Sequence, residues 1–387
     1  MKSSIFLIAG LLLFVQTSFA CSMYKITHNG KTIVGNNEDW FSPNTQMWFT
    51  PGKDGLYGVM NVGFTNGFPQ GGINEAGLMY DGFAMPYLAV TQTSGKKKMP
   101  LGEAINSALQ AYATVQEVKA YLLTVDLSDL AYGMVVFIDR KGDYLVVEGD
   151  EINIGQEAEQ SFSNFYPSQT SSREAVDISF YQNGLSFINQ SEAESSFNYC
   201  ASVMNKMQQD ITQYSTIYDL DALTIRIYHY HNFENYKEIN LKEALKKGEH
   251  TLAIPDLFPD NTEGQTYYQL YNDAKNPTRI FSNMVEDAQK DRTEQEMEEY
   301  KQGLTGLINQ VGYEWLNATE NTDAAIAVFK YGTELAPDNA NLFDSLGEAY
   351  FRKKEYAAAK KHYHKSLALN PDNSNAKEML KKIEEEE

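Results

Sequence analysis

Histidine and cysteine are scarce in this sequence: six and two in 387 residues. The histidines fall in no triad spacing, which argues against a His-dependent hydrolase. His229 and His231 share one face of a strand, but no cysteine or carboxylate at ligand spacing accompanies them, so the sequence offers no metal centre. Positive charge is also short. Lys and Arg total 32 against 52 Asp and Glu, a net charge of −20. That argues against nucleic acid or an anionic membrane as partner, since both require a basic surface. There is no Walker loop and no dinucleotide fingerprint, so no cofactor is implied. Beyond residue 20, no apolar stretch free of charge reaches the roughly 20 residues that cross a bilayer.

What is present begins with an export signal. Lys2 supplies a positive start, Ile5 to Val15 an apolar run, and Ser18-Phe19-Ala20 a small-x-small cleavage site. Cleavage there makes Cys21 the first residue of an exported protein, periplasmic or secreted. Three fates are open to Cys21: nucleophile, disulfide with Cys200, or lipid anchor. The lipid reading fits poorly, because Ser18 stands where a lipobox usually has Leu.

Residues 21 to 36 read as a hairpin around Asn29-Gly30, a type I′ turn pair. The return strand carries Asp39 back towards Cys21. Further strands are expected near residues 46–49 and 58–62, then a glycine-rich turn at 71–77 entering the strand that holds Tyr80. Pro100 to Leu123 has helical spacing with a break at Thr114. Tyr132 to Glu148 reads as a hairpin, Ser191 to Gln208 as a helix, and Tyr214 to His231 as a late hairpin. This pattern predicts an α+β fold of stacked antiparallel sheets with helices outside. Tyrosine is frequent at 25, with 20 Phe, which suits strands and aromatic-lined pockets.

The end of the chain is different. Ala325, Phe329, Leu335, Pro337, Asp338 and Asn339 recur 34 residues on as Ala359, Tyr363, Leu369, Pro371, Asp372 and Asn373. That period resembles tetratricopeptide repeats. The expected organisation is a signal at 1–20, a main domain at 21–255, a partly helical connector at 256–303, and repeats with a capping helix at 304–387. The repeats imply a protein partner or self-association.

The chemistry legible at Cys21 is that of an N-terminal nucleophile. A thiol titrates near 8.5 and an α-amine at about 7.7–8.0, so one residue can supply both nucleophile and base. Asp39 would hold the amine.

The motifs carry a family resemblance. Cys21-Ser22-Met23-Tyr24 followed by Gly35-Asn36-Asn37-Glu38-Asp39-Trp40 resembles the start of the choloylglycine hydrolase and penicillin V acylase family of linear-amide hydrolases. Gly72 to Leu78, Val136 to Glu148, Ser163-Asn164 and Tyr214 to Leu220 resemble later family segments in the same order. The resemblance covers about residues 21 to 235. It implies an αββα sandwich and hydrolysis of a linear carbon–nitrogen bond in a small N-acyl amide. Within it Cys21 and Asp39 are catalytic, and the Asn164 amide stabilises the oxyanion. Arg173 stands for the family's arginine near the nucleophile, with a surface arginine as the alternative. Trp40 and Tyr80 are expected to wall the acyl pocket. One departure counts: family enzymes acting on bile salts or penicillin have Arg three residues before the Asp, and here it is Asn36. That points towards the acyltransferase-like branch and away from bile salts. A different class of reading makes the protein a non-catalytic lipoprotein whose repeats do the work.

Overall fold

The computed structural model describes residues 21–65 and 67–386, so the signal expected at 1–20 lies outside the described residues. The chain divides into two compact units, meeting in sequence after Thr266.

The first unit begins with β1 (Ser22–His28) and β2 (Lys31–Asp39). Asn29 and Gly30 both have positive φ, 53° and 77°, as the tight turn requires. Then come β3 (Thr45–Thr50), β4 (Val59–Phe64), β5 (Pro69–Asn74), β6 (Met79–Ala84) and the two-residue β7 (Lys97–Lys98). Helices α1 (Leu101–Ala111) and α2 (Val115–Leu122) follow. The break between them has a cause: Thr114 and Glu117 form a capping box that starts α2. Next are β8 (Val125–Asp126), β9 (Gly133–Ile138), β10 (Tyr144–Glu148), β11 (Glu151–Gly155) and β12 (Glu159–Ser163). Helices α3 (Ser179–Gln190) and α4 (Phe197–Lys206) lead to β13 (Thr212–Asp219), β14 (Thr224–His229) and β15 (Tyr236–Asn240). Short α5 (Leu241–Leu245) and β16 (His250–Ala253) close the unit.

The strands form two antiparallel sheets, apart from the short parallel pair of β7 and β8. One has six strands in the order β12-β1-β2-β13-β14-β15; the other has eight, β11-β10-β9-β6-β5-β4-β3-β16. Met23, Val34, Tyr214 and Ile227 of the first share a buried cluster with Met60, Ile73, Met79 and Val136 of the second, so the sheets face each other. Outside the eight-stranded sheet, α1 and α2 pack Ala104, Leu109 and Val118 on Phe137 and Leu145. Outside the six-stranded sheet, α3 and α4 pack Tyr181, Cys200 and Met204 on Tyr24 and Ile217. This is the layered α+β sandwich expected. Of its helices, α3 was not expected, and α4 is shorter than residues 191–208.

Helix α6 (Glu263–Tyr271) crosses into the second unit, which is helical: α7 (Arg279–Ala288), α8 (Glu294–Asn317), α9 (Thr322–Leu335), α10 (Ala340–Arg352), α11 (Tyr356–Leu369) and α12 (Ser374–Glu386). The helices pair through small-to-large contacts at the repeat positions. A Cβ on Gly312 would meet the Phe329 ring at 2.3 Å, and one on Gly347 the Tyr363 ring at 3.0 Å.

Candidate active site

The turn at Asn29-Gly30 fixes the register of the first hairpin. His28 pairs with Lys31, Ser22 with Asn37, and so Cys21 stands level with Glu38. On the other side β12 pairs Ser163 with Ser22, which brings Asn164 level with Cys21. Successive strand residues point to opposite faces. Cys21, Met23, Asn36 and Glu38 therefore point between the sheets, while Ser22, Asn37 and Asp39 point towards α4.

The geometry agrees. The Cys21 thiol donates to Glu38 Oε1 at 3.4 Å. Asp39 instead accepts from Gln209 Nε2 at 2.7 Å and from the Thr212 hydroxyl. The carboxylate brought to the thiol by the hairpin is Glu38, and sequence reasoning named its neighbour. Asp39 acts on the sulfur through its backbone N–H, which favours the thiolate.

A second carboxyl arrives from the opposite sheet. Asp81 on β6 lies on the same face as Met79 and Phe83, both in the inter-sheet cluster. It is 0% exposed and Glu38 3%. Glu38 Oε2 and both Asp81 oxygens have no hydrogen-bond partner. The Asn36 amide and Gly82 N–H favour the Asp81 anion without reaching hydrogen-bond geometry. Asn36 itself accepts from the Thr216 hydroxyl. No ion pair among the described residues involves Glu38, Asp39 or Asp81.

The electrostatics follow from burial without a cation. Desolvation raises the Glu38 carboxyl well above its usual range, and the charge of Asp81 raises it further. Asp81 is raised in the same way, chiefly by burial. Burial pushes Asp39 up to about 7, against the pull of Thr212 and Gln209. The Cys21 thiol is held well above the ordinary thiol range, first by burial, then by Glu38 and Asp39.

The other expected residues are placed differently. Asn164 donates its amide to the Ala84 carbonyl at the end of β6. Tyr80 points to the helical face, its ring 5.8 Å from Phe137. There it lines a cavity of about 260 Å³ with Phe68, Phe83, Ala84, Leu130 and Tyr132. Phe83 belongs also to the cluster that holds Cys21. Trp40 packs on Phe64 at 6.2 Å and is not among the cavity's lining residues. Arg173 is not among the charges that act most on the Cys21 thiol; its charge bears on Tyr144 and Tyr181. Both cysteines are free. Cys200 lies behind Gly35 on the α4 side of the six-stranded sheet, so the disulfide alternative is not formed.

Comparison with known proteins returns one family model and several solved structures. Residues 340–373 match the tetratricopeptide repeat. Among solved structures the chain is similar to penicillin V acylase from Agrobacterium tumefaciens, with 16% identity over 58% of this chain and 86% of that one, and a TM-score of 0.45. It is also similar to a mutant of conjugated bile acid hydrolase from Clostridium perfringens, with 16% identity over 60% and 96%, and a TM-score of 0.46. Both carry names of the family that the motifs resemble. No curated protein matches.

Glu38 and Asp81 were the functional candidates missed. Glu38 was within reach of sequence reasoning: counting back from the two-residue turn puts 21 opposite 38. Asp81 was not, because it comes from a different sheet and no local pattern marks it.

Proposed function

We propose that the protein is an exported amide hydrolase acting on small N-acyl compounds, with Cys21 as nucleophile once residues 1–20 are removed. The observation that carries the reading is the buried acidic site around the Cys21 thiol. Three carboxyls lie near one sulfur with no cation, an arrangement that strongly disfavours charge. Cleavage before Cys21 converts its amide nitrogen to an amine, which supplies the missing cation. Processing thus gives the site its one counter-charge.

In the proposed reaction the thiol sulfur adds to the acyl carbon as its proton passes to the α-amine. Collapse of the tetrahedral intermediate breaks the C–N bond, the leaving nitrogen takes that proton, and a thioester remains. Water attacks the thioester, giving the acid and restoring the thiol. Asn164, level with Cys21, is the candidate oxyanion donor after its amide turns from Ala84. The cavity walled by Tyr80 and Phe83 receives the acyl group. An acceptor amine in place of water would make the same chemistry an acyl transfer.

Two measurements test this. The mass of the mature protein should correspond to a free Cys21 amino terminus; a diacylglyceryl group there would instead support the lipoprotein reading. The mature protein should hydrolyse members of a panel of N-acyl amines, N-acyl lactones and penicillin V, with weak or no turnover of bile conjugates because Asn36 replaces Arg. Cys21→Ser should abolish all but a trace of activity, and undiminished activity refutes the mechanism.

A further inference from the structure

We propose that Glu38 is the first acceptor of the Cys21 thiol proton, and that Asp81 is a positioning residue that sets the basicity of Glu38 from the opposite sheet. The inference rests on Cys21 being the nucleophile. It changes the route of the proton, not the bonds made and broken at the substrate.

Three observations carry it. The thiol already points at Glu38 Oε1, 3.4 Å away. The second Glu38 oxygen and both Asp81 oxygens are buried and unpartnered, so nothing but each other, the thiol and the new amine competes for a proton. The α-amine, surrounded by these carboxyls, is held protonated and is a poor first base. Charge is therefore assigned by geometry: the amine is the resident cation and Glu38 the acceptor.

The proton count closes. As sulfur bonds to the acyl carbon, the thiol proton moves to Glu38 Oε1. The α-ammonium protonates the leaving nitrogen as the C–N bond breaks, and the Glu38 proton then returns the amine to its charged form. One proton has moved from thiol to leaving group, and no oxidant, metal or other reactant is needed.

The groups whose charge bears on Glu38 are Cys21 and Asp81, which face it, Asp39 and Tyr80 from the far faces of the two sheets, and the phenols of Tyr214 and Tyr218. All are acids. In the uncleaved chain none lowers the proton affinity of Glu38 by positive charge; after cleavage the α-ammonium does, and the Asp81 anion opposes it by raising that affinity. A carboxyl so placed can accept from a thiol, which an exposed glutamate at ordinary acidity does poorly.

The experiment uses mature protein starting at Cys21 and carrying the whole remaining chain. Two readouts are taken across pH: kcat on the best amide of the panel, and the rate of Cys21 alkylation by iodoacetamide, with buried Cys200 as internal control. Glu38→Gln should lower kcat by about a hundredfold or more, the scale of a lost general base. The same variant should make the thiol more acidic, because a negative neighbour is gone. Activity down with thiol acidity up is a signature that misfolding does not produce. Glu38→Asp keeps the charge but withdraws it, so kcat should fall while the alkylation profile stays near wild type. Asp81→Asn should shift the acid limb of the kcat profile to lower pH. Full activity in Glu38→Gln, or an unmoved alkylation profile, overturns the acceptor role; an unmoved acid limb in Asp81→Asn overturns the role of Asp81. Absence of turnover by wild type on every amide is the separate failure of the amidase reading.

Discussion

A carboxyl with neither water nor a cation beside it keeps its proton, and that governs the residues around Cys21. The sign of the pH dependence follows. Glu38, Asp81 and Asp39 all have folded pKa values raised above their unfolded ones, so the folded state binds more protons than the unfolded chain. Uncleaved protein should be most stable near pH 4 and lose stability as pH rises; for Asp39 the loss runs from about 4 to about 7. Urea denaturation across this range measures it. The mature protein, with an ammonium at Cys21, should show a shallower fall, and so should uncleaved Glu38→Gln. At pH 8 that substitution should raise the stability of the uncleaved chain by about 1–3 kcal/mol, the cost of an unsatisfied buried polar group. Equal slopes in uncleaved and mature protein would contradict the idea that processing supplies the counter-charge.

At the scale of elements, local chemistry was legible and long-range packing was not. The Asn29-Gly30 turn and the Thr114 break each rest on residues that act within a few positions. The stacked sheets with helices outside followed from counting strand-like and helical stretches; the strand order did not. Helix α3 escaped because its sequence, rich in Ser, Asn, Gln and Gly, has low intrinsic helix preference. It forms because Tyr181, Leu185 and Ile188 bury against the six-stranded sheet. The alternation of β2 was legible but not applied, and so Glu38, whose side chain meets the thiol, went unnamed. The sheet also depends on one close approach. A Cβ on Gly35 would lie 2.7 Å from Cys200 Sγ and Met204 Cγ. Gly35→Ala should therefore destabilise the unit by about 1–3 kcal/mol, read from its urea midpoint, because α4 cannot retreat without opening the layer.

For the whole molecule, the two units call on different physics. The sandwich joins sequence-distant strands, whereas each repeat helix packs mainly on its neighbours. In such arrays the last helix closes an apolar face. Here α12 covers Ala359 and Tyr363 with Ala376 and Ile383. Deleting residues 374–387 should remove more helix than the 13 residues of α12 itself, since α11 loses its cover. Circular dichroism should report the loss, and size-exclusion chromatography the self-association of the exposed face. A loss limited to α12 would mean that α10 and α11 stand without a cap.

The separation of the two sulfurs by a layer of strands has a consequence for handling under oxidising conditions. A disulfide needs its sulfurs about 2 Å apart, and here the backbone of a hydrogen-bonded sheet stands between them. Oxidants can attack each thiol singly, but they cannot lock the pair. Air or a disulfide-forming catalyst should therefore leave the fold unscrambled, and the protein can be matured without a reductant to undo a mispaired bond.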